Sequence, residues 1–318
     1  AGAIAGALGP LLGGWLVDTA GWRTIFLLNL PIAAAAGVLA WRYVCESHDR
    51  RGARSIDWAG AALITIALAL LTWALTVAAA AGSVSALPAL SALAGVAFAG
   101  LFVWLQARLG DRALMPLALF GTTTFVGLTL FTLFLYLTLG GLVVALPFLL
   151  IRIEGWSAAA AGAALLPVPI VIAAASRLMG RITARHGGGV PLAIGAAMVG
   201  VGLALYARLE AGTVDYWIDI LPATLMVALG MGISVAPLTT LVIGAVDTDH
   251  VGVASGFNSA VARIAGLLAT AMLGSVFTLQ DSADIFVAGL HVAAFVGAAS
   301  AAIAGACALV LVRARAGA

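Results

Sequence analysis

The chain has 318 residues, 64% of them hydrophobic and 9% charged, with a net charge of +2 and a mean hydropathy of +1.17. A soluble domain carries about 25% charged residues and roughly half apolar ones, so this composition excludes a water-soluble globule and indicates an all-α polytopic membrane protein. Every basic residue is an arginine and nearly all lie between apolar runs, which gives no reason to expect a nucleic-acid partner; Cys45 and Cys307 lack metal-type spacing and read as unpaired.

Runs apolar enough to cross a bilayer, about 20 residues each, fall in order at 1–17, 23–42, 58–80, 87–107, 123–150, 158–178, 190–208, 217–243, 251–278 and 285–312. The first residue already lies within a span, with no initiator Met and no signal peptide before it. The sequence therefore reads as the C-terminal portion of a longer protein, whose missing N-terminal helices are its first expected partner.

The opening span carries Gly2, Gly6, Gly9 and Gly13 at i, i+4, i+7 and i+11, one face of a helix. In water such glycines cost roughly 1 kcal/mol each, whereas in a bilayer a stripe without side chains lets a neighbouring backbone approach closely. Pro10 frees a carbonyl and bends the helix, and ordinary Gly-rich packing accounts for the pattern equally well. Gly9-Pro10-Leu11-Leu12-Gly13-Gly14 resembles the GPxxGG antiporter motif on the fifth helix of major facilitator transporters, although Ala5 stands where that motif opens on Gly. Trp22-Arg23-Thr24-Ile25-Phe26-Leu27-Leu28-Asn29-Leu30-Pro31 resembles the start of the sixth helix in the fourteen-helix drug:proton antiporters of the EmrB/QacA type. The resemblance implies a major facilitator fold with about ten of fourteen helices present, the fifth to the fourteenth.

Eleven arginines (Arg42, Arg50, Arg51, Arg54, Arg108, Arg112, Arg177, Arg181, Arg185, Arg313, Arg315) fall on one side of that arrangement, against Arg23, Arg152 and Arg208 on the other. The positive-inside rule then puts the even-numbered connectors and the C-terminus in the cytoplasm of a multi-pass inner (plasma) membrane protein. The resemblance implies three regions, with residues 1–57 the end of an N-terminal bundle and a linker, 58–107 a central extra helix pair, and 108–318 a six-helix C-terminal bundle. Asp57 is placed to cap the first helix of the central pair. Gly180-Arg181-Ile182-Thr183-Ala184-Arg185-His186-Gly187 resembles a degraded copy of the GxxxDRxG loop between the second and third helices of each half, with Ala184 in place of the acid.

Arg263 is the charge that falls well inside a span, at a cost of about 2.5–3.5 kcal/mol on insertion scales. It shares the stripe Gly252, Gly256, Ser259 and Gly266, and reads as a cavity or gate residue or as an arginine snorkelling to an interface. Asn258 lies beside it. Asp18 and Arg23 are expected to pair across the first external turn. Asn29 and Pro31 lie deeper, where Asn29 either bonds across helices or simply packs. Pro167, Pro169 and Pro237 bend their spans, as helices lining transport cavities do, and Tyr136, Phe131, Phe134 and Phe148 line a hydrophobic pocket or pack the interior. No nucleotide loop, metal cluster or nucleophile motif occurs, so neither an enzyme nor a cofactor is expected.

The resemblance implies an exporter of drugs or other small hydrophobic and amphipathic compounds in exchange for protons, with the lipid bilayer, the small-molecule substrate and protons as its partners. An exporter of one metabolite and an inert half-transporter or scaffold are the alternatives. On this reading the opening helix lays its Gly face on the span bent at Pro167 and Pro169, so that Gly9→Leu or Gly13→Leu abolishes transport or folding.

Overall fold

The computed structural model describes residues 2–44, 57–81, 85–110, 113–210, 214–247, 250–277 and 283–312, with side chains omitted at 2–7, 79–80, 181–186, 274–277 and 283–285. These residues form helices α1 (Gly2–Ala20), α2 (Arg23–Tyr43), α3 (Trp58–Ala81), α4 (Ala86–Leu109), α5 (Thr123–Phe148), α6 (Ala158–Ala164), α7 (Pro167–His186), α8 (Gly189–Tyr206), α9 (Leu221–Gly244), α10 (Val251–Phe277) and α11 (Ala283–Leu311). Among the described residues nine helical segments are long and apolar enough to cross a membrane, α6 and α7 together making one of them, and α1 adds a further helix of 19 residues. In hydrocarbon a helix satisfies its own backbone, so apolar segments of this length have few alternatives.

The core lies in the second part of the chain, between Leu119 and Val312, and draws on none of α1 to α4. α5 is its centre, packed against both α10 and α11, while α8 packs on α9 and α11, and α7 on α9. Phe125, Leu128, Phe131 and Leu135 of α5 are fully buried. Small residues set a close seam here, because a Cβ on Gly195 of α8 would lie 2.2 Å from Ser234 Oγ, and one on Gly230 of α9 only 2.4 Å from the Gly195 carbonyl oxygen. Helices gain little from burying apolar surface in lipid, so this closeness, with its dispersion and backbone contacts, is what holds them together.

α3 and α4 form a hairpin that docks through α3 on α10. A polar cluster ties its open end. Asp57 caps α3 as the sequence predicts, its Oδ1 accepting from Gly60 N at 2.7 Å, while Oδ2 accepts from Gln106 Nε2 at 2.7 Å and Leu114 N at 3.4 Å. Gln106, fully buried, takes Met115 N on its Oε1 at 2.8 Å. Burial raises the Asp57 carboxyl, but the bonds from Gln106, Gly60 and Leu114 outweigh it and hold the group below the ordinary value of 3.8.

α2 leans on α1 and contributes no buried residue. The expected single bent span at 158–178 is two helices, broken at Leu165 and Leu166. Pro167 has no N–H to give, and Val168 N donates three residues back to the Leu165 carbonyl. The Ala164 carbonyl instead accepts the Tyr216 hydroxyl at 3.1 Å, which replaces the helical bond lost at the break.

Candidate transport site

α1 meets α6 antiparallel along a face made by Pro10, Gly14 and Asp18, spaced i, i+4, i+8. A Cβ on Gly162 would sit 2.2 Å from the Pro10 carbonyl oxygen, and one on Gly14 2.2 Å from that of Ala158. Both positions must be glycine for the backbones to touch. Beyond them, Asp18 Oδ1 accepts from Ala158 N at 3.1 Å and Oδ2 from Ala159 N at 2.8 Å. Ser157 supplies the next acceptor, its Oγ taking Ala160 N at 3.1 Å, and its carbonyl takes the first helical bond from Ala161 N at 3.0 Å. The N–H groups of Ala158, Ala159 and Ala160, which have no partner within α6, are thus met, two of them by a carboxylate from another helix, where the helix dipole also favours negative charge.

This arrangement corrects two expectations. The contact glycine on α1 is Gly14, not the stripe containing Gly9 and Gly13, whose added Cβ atoms would meet nothing within 4 Å. One residue is about 100° round a helix, so that stripe faces sideways from the seam. Gly6 shares the stripe's spacing, and what it packs against lies outside the described contacts. The second correction concerns Asp18, whose oxygens cap α6 and are not directed at Arg23. The Arg23 guanidinium lies over the Trp22 ring, 4.8 Å from its centroid, and Trp22 in turn meets Phe26 edge-on at 6.0 Å. Asn29, exposed on α2, reaches only the Ile25 carbonyl of its own helix at 3.5 Å, and Pro31 is likewise exposed.

On α10, Asn258 turns inward and its Oδ1 accepts from the buried Thr132 hydroxyl of α5 at 2.6 Å, clipping the two helices together. Arg263 is exposed, on the same uncovered face as Gly252, Gly256 and Ser259. Tyr136 is half-buried against the core and Pro237 is buried within an unbroken α9, whereas Pro167 opens α7. Phe131 is buried and Phe148 stacks on Phe286 at 5.2 Å. The Gly180–Gly187 motif is not a loop, because α7 continues through His186 and the turn falls at Gly187, whose φ of +82° suits glycine. Gly180 is half-buried, and the side chains of Arg181 and Arg185 lie outside the described residues. Sequence reasoning passed over Gly162, Ser157, Thr132 and Tyr216. Gly162 stands as the lone glycine of an alanine run, a signal that could have found it.

Membrane helices, a glycine–proline seam and a capped broken helix are the geometry of the site, and comparison with known sequences places the chain in a family. A sequence profile of the Major Facilitator Superfamily matches residues 1–270. The chain belongs to that superfamily. As a major facilitator chain it is similar to the multidrug resistance protein Stp of Mycobacterium tuberculosis, 30% identical over 282 residues, which cover 87% of this chain and 51% of that protein. It is 30% identical over 289 residues to the tetracenomycin C resistance and export protein of Streptomyces glaucescens, covering 88% of this chain and 51% of the relative. The methylenomycin A resistance protein of Streptomyces coelicolor matches at 29% over 282 residues, 89% of this chain and 58% of its own length. The chain thus spans about half the length of the curated relatives it matches.

Proposed function

We propose that this chain is the C-terminal part of a fourteen-helix drug:proton antiporter of the EmrB/QacA type, in the plasma membrane with its C-terminus in the cytoplasm. The whole protein exports drugs or other small hydrophobic and amphipathic compounds as protons enter. The observation that carries this is the Gly14–Gly162 seam closed by Asp18. Alternating access needs a surface between two bundles that shuts tightly and parts again. A backbone-to-backbone seam parts without unlocking interdigitated side chains, and two hydrogen bonds at its end define the shut position. The names of the relatives, multidrug resistance and tetracenomycin C resistance and export, support the substrate class. Proton coupling needs a protonatable group in the membrane, and on this reading that group lies on the helices upstream of Ala1.

Sequencing the DNA upstream of Ala1 and assaying the complete reading frame in everted vesicles tests the reading. The expected result is about four more apolar spans, and drug uptake that collapses when the proton gradient is dissipated. Uptake indifferent to the gradient would remove the antiport claim, and no transport at all would favour an inert scaffold. Similarity to a protein named for one compound, tetracenomycin C, favours export of a single metabolite as the second reading. A counterflow panel separates the two, since many unrelated cationic drugs support the first and one solute the second.

A further inference from the structure

Inside the C-terminal bundle, away from the α1–α6 seam, α5, α8, α10 and α11 enclose a cavity of about 270 Å³. Thr138, Leu142 and Ala145 of α5 form its floor, with Tyr206 of α8, Met272 of α10 and Ala293 of α11 around it. The cavity exists because α10 and α11 both lean on α5 and touch each other little among the described residues. α5 and α10 pinch together where a Cβ on Gly140 would lie 2.9 Å from Gly266 Cα, and the Phe148–Phe286 stack joins α5 to α11 near the other end. Its polar groups are already engaged. The Tyr206 hydroxyl shares a 2.6 Å hydrogen bond with Thr224, and the Thr138 hydroxyl donates to the Leu135 carbonyl. Nothing in such a wall rewards a charge or a hydrogen-bonding group, and an apolar cavity does not hold water.

The mouth is in the membrane. Met272 is 50% exposed, Val292 61% and Val296 44%, all within helical segments long and apolar enough to span. The other large exposed side chains of α11, Phe295, Ile303, Leu309 and Val310, are also apolar, which is the surface a helix turns to lipid.

We infer that this cavity is a binding site for an uncharged hydrocarbon group entering sideways from the bilayer between α10 and α11. Two sources share that chemistry, the acyl chain of a membrane lipid and a small apolar compound dissolved in the leaflet. The inference does not depend on the chain exporting anything.

The test places the full-length protein in nanodiscs and reads photolabelling by peptide mass spectrometry. One arm uses phosphatidylcholine with a diazirine near the acyl terminus, the other an iodophenyl diazirine, small and uncharged. The expected result is labelling of Leu142, Ala145 and Ala293 about tenfold above the lipid-facing Val310, the enrichment of a site favoured by one decade over bulk lipid. Labelling by the lipid assigns an acyl chain, and labelling by the free aromatic alone assigns a dissolved compound. Gly141→Leu fills the cavity, since a Cβ there meets only Leu273 Cδ1 at 3.7 Å, and should return labelling to the Val310 level. Val296→Trp narrows the mouth without entering the core and decides the matter if the filling variant does not fold. No enrichment with either probe, or enrichment that persists in a folded Val296→Trp protein, overturns the inference.

Discussion

At the scale of single residues, the Gly-Pro motif shows how little separates a packing face from its neighbour. The glycines of α1 lie on several faces of the helix, so the sequence identifies a close-packing helix without saying which side is used. The partner decides, through Gly162 meeting the Pro10 carbonyl and Gly14 meeting that of Ala158. Gly14→Leu is therefore expected to abolish efflux or membrane insertion, while Gly13→Leu, with open space before it, keeps both. Equal loss in the two variants would show that the seam is not where α1 works. Asp18→Ala leaves Ala158 N and Ala159 N without their acceptor and should cost about 1 kcal/mol, the usual worth of a helix cap. Asp18→Asn retains one acceptor and should lie between. Thermal melts of the purified variants give the order, and a melt of Asp18→Ala equal to the parent would show the cap to be idle.

At the scale of elements, most spans were legible because length and apolarity suffice to mark a membrane helix. The expected 251–278 and 285–312 compare with Val251–Phe277 and Ala283–Leu311. The break at Pro167 was legible as a bend but not as a gap, since what makes a gap tolerable is the Tyr216 hydroxyl, distant in sequence and unremarkable in composition. The two helices of the α3–α4 hairpin were legible as spans, but the polar tie at its open end was legible at Asp57 alone; Gln106 reads as an ordinary polar residue near a helix end until its buried place beside Asp57 is known. Asp57 is held below 3.8 in the folded protein by Gln106, Gly60 and Leu114 acting against burial. A carboxyl whose folded value is depressed adds stability that is complete above its unfolded value and is lost as pH falls through the folded one. The hairpin tie should thus be fully present at neutral pH and weaken below about pH 4. Gln106→Leu strands Met115 N and removes a donor from Asp57, for a loss of about 1–3 kcal/mol. Melting temperature against pH checks both, and an acid limb identical in parent and Asp57→Asn protein would refute the titration.

At the scale of the molecule, two uncovered surfaces carry opposite chemistry and so call for opposite neighbours. The exposed large side chains of α11 are apolar and suit lipid. The exposed face of α10 carries Gly252, Gly256, Ser259 and, midway along a 27-residue helix, Arg263. A guanidinium at that depth costs about 2.5–3.5 kcal/mol or more against hydrocarbon, so lipid is the wrong neighbour for this face. Water in a transport cavity or a polar group on a covering helix is the right one, and composition alone could not say which way the helix turns. Exposure separates Arg263, which faces outward, from Asn258, which is spent on Thr132. Arg263→Ala should then leave folding near the parent level while efflux by the full-length protein falls about tenfold, as when an interaction of ~1.4 kcal/mol is lost. Arg263→Lys keeps the charge but not the planar fork, and should recover part of the rate. Asn258→Ala should do the reverse, lowering the melting temperature by breaking the clip to α5 while sparing transport in what remains folded. If Arg263→Ala transports normally, the arginine is only snorkelling, and the open face of α10 is a packing surface with no part in moving substrate.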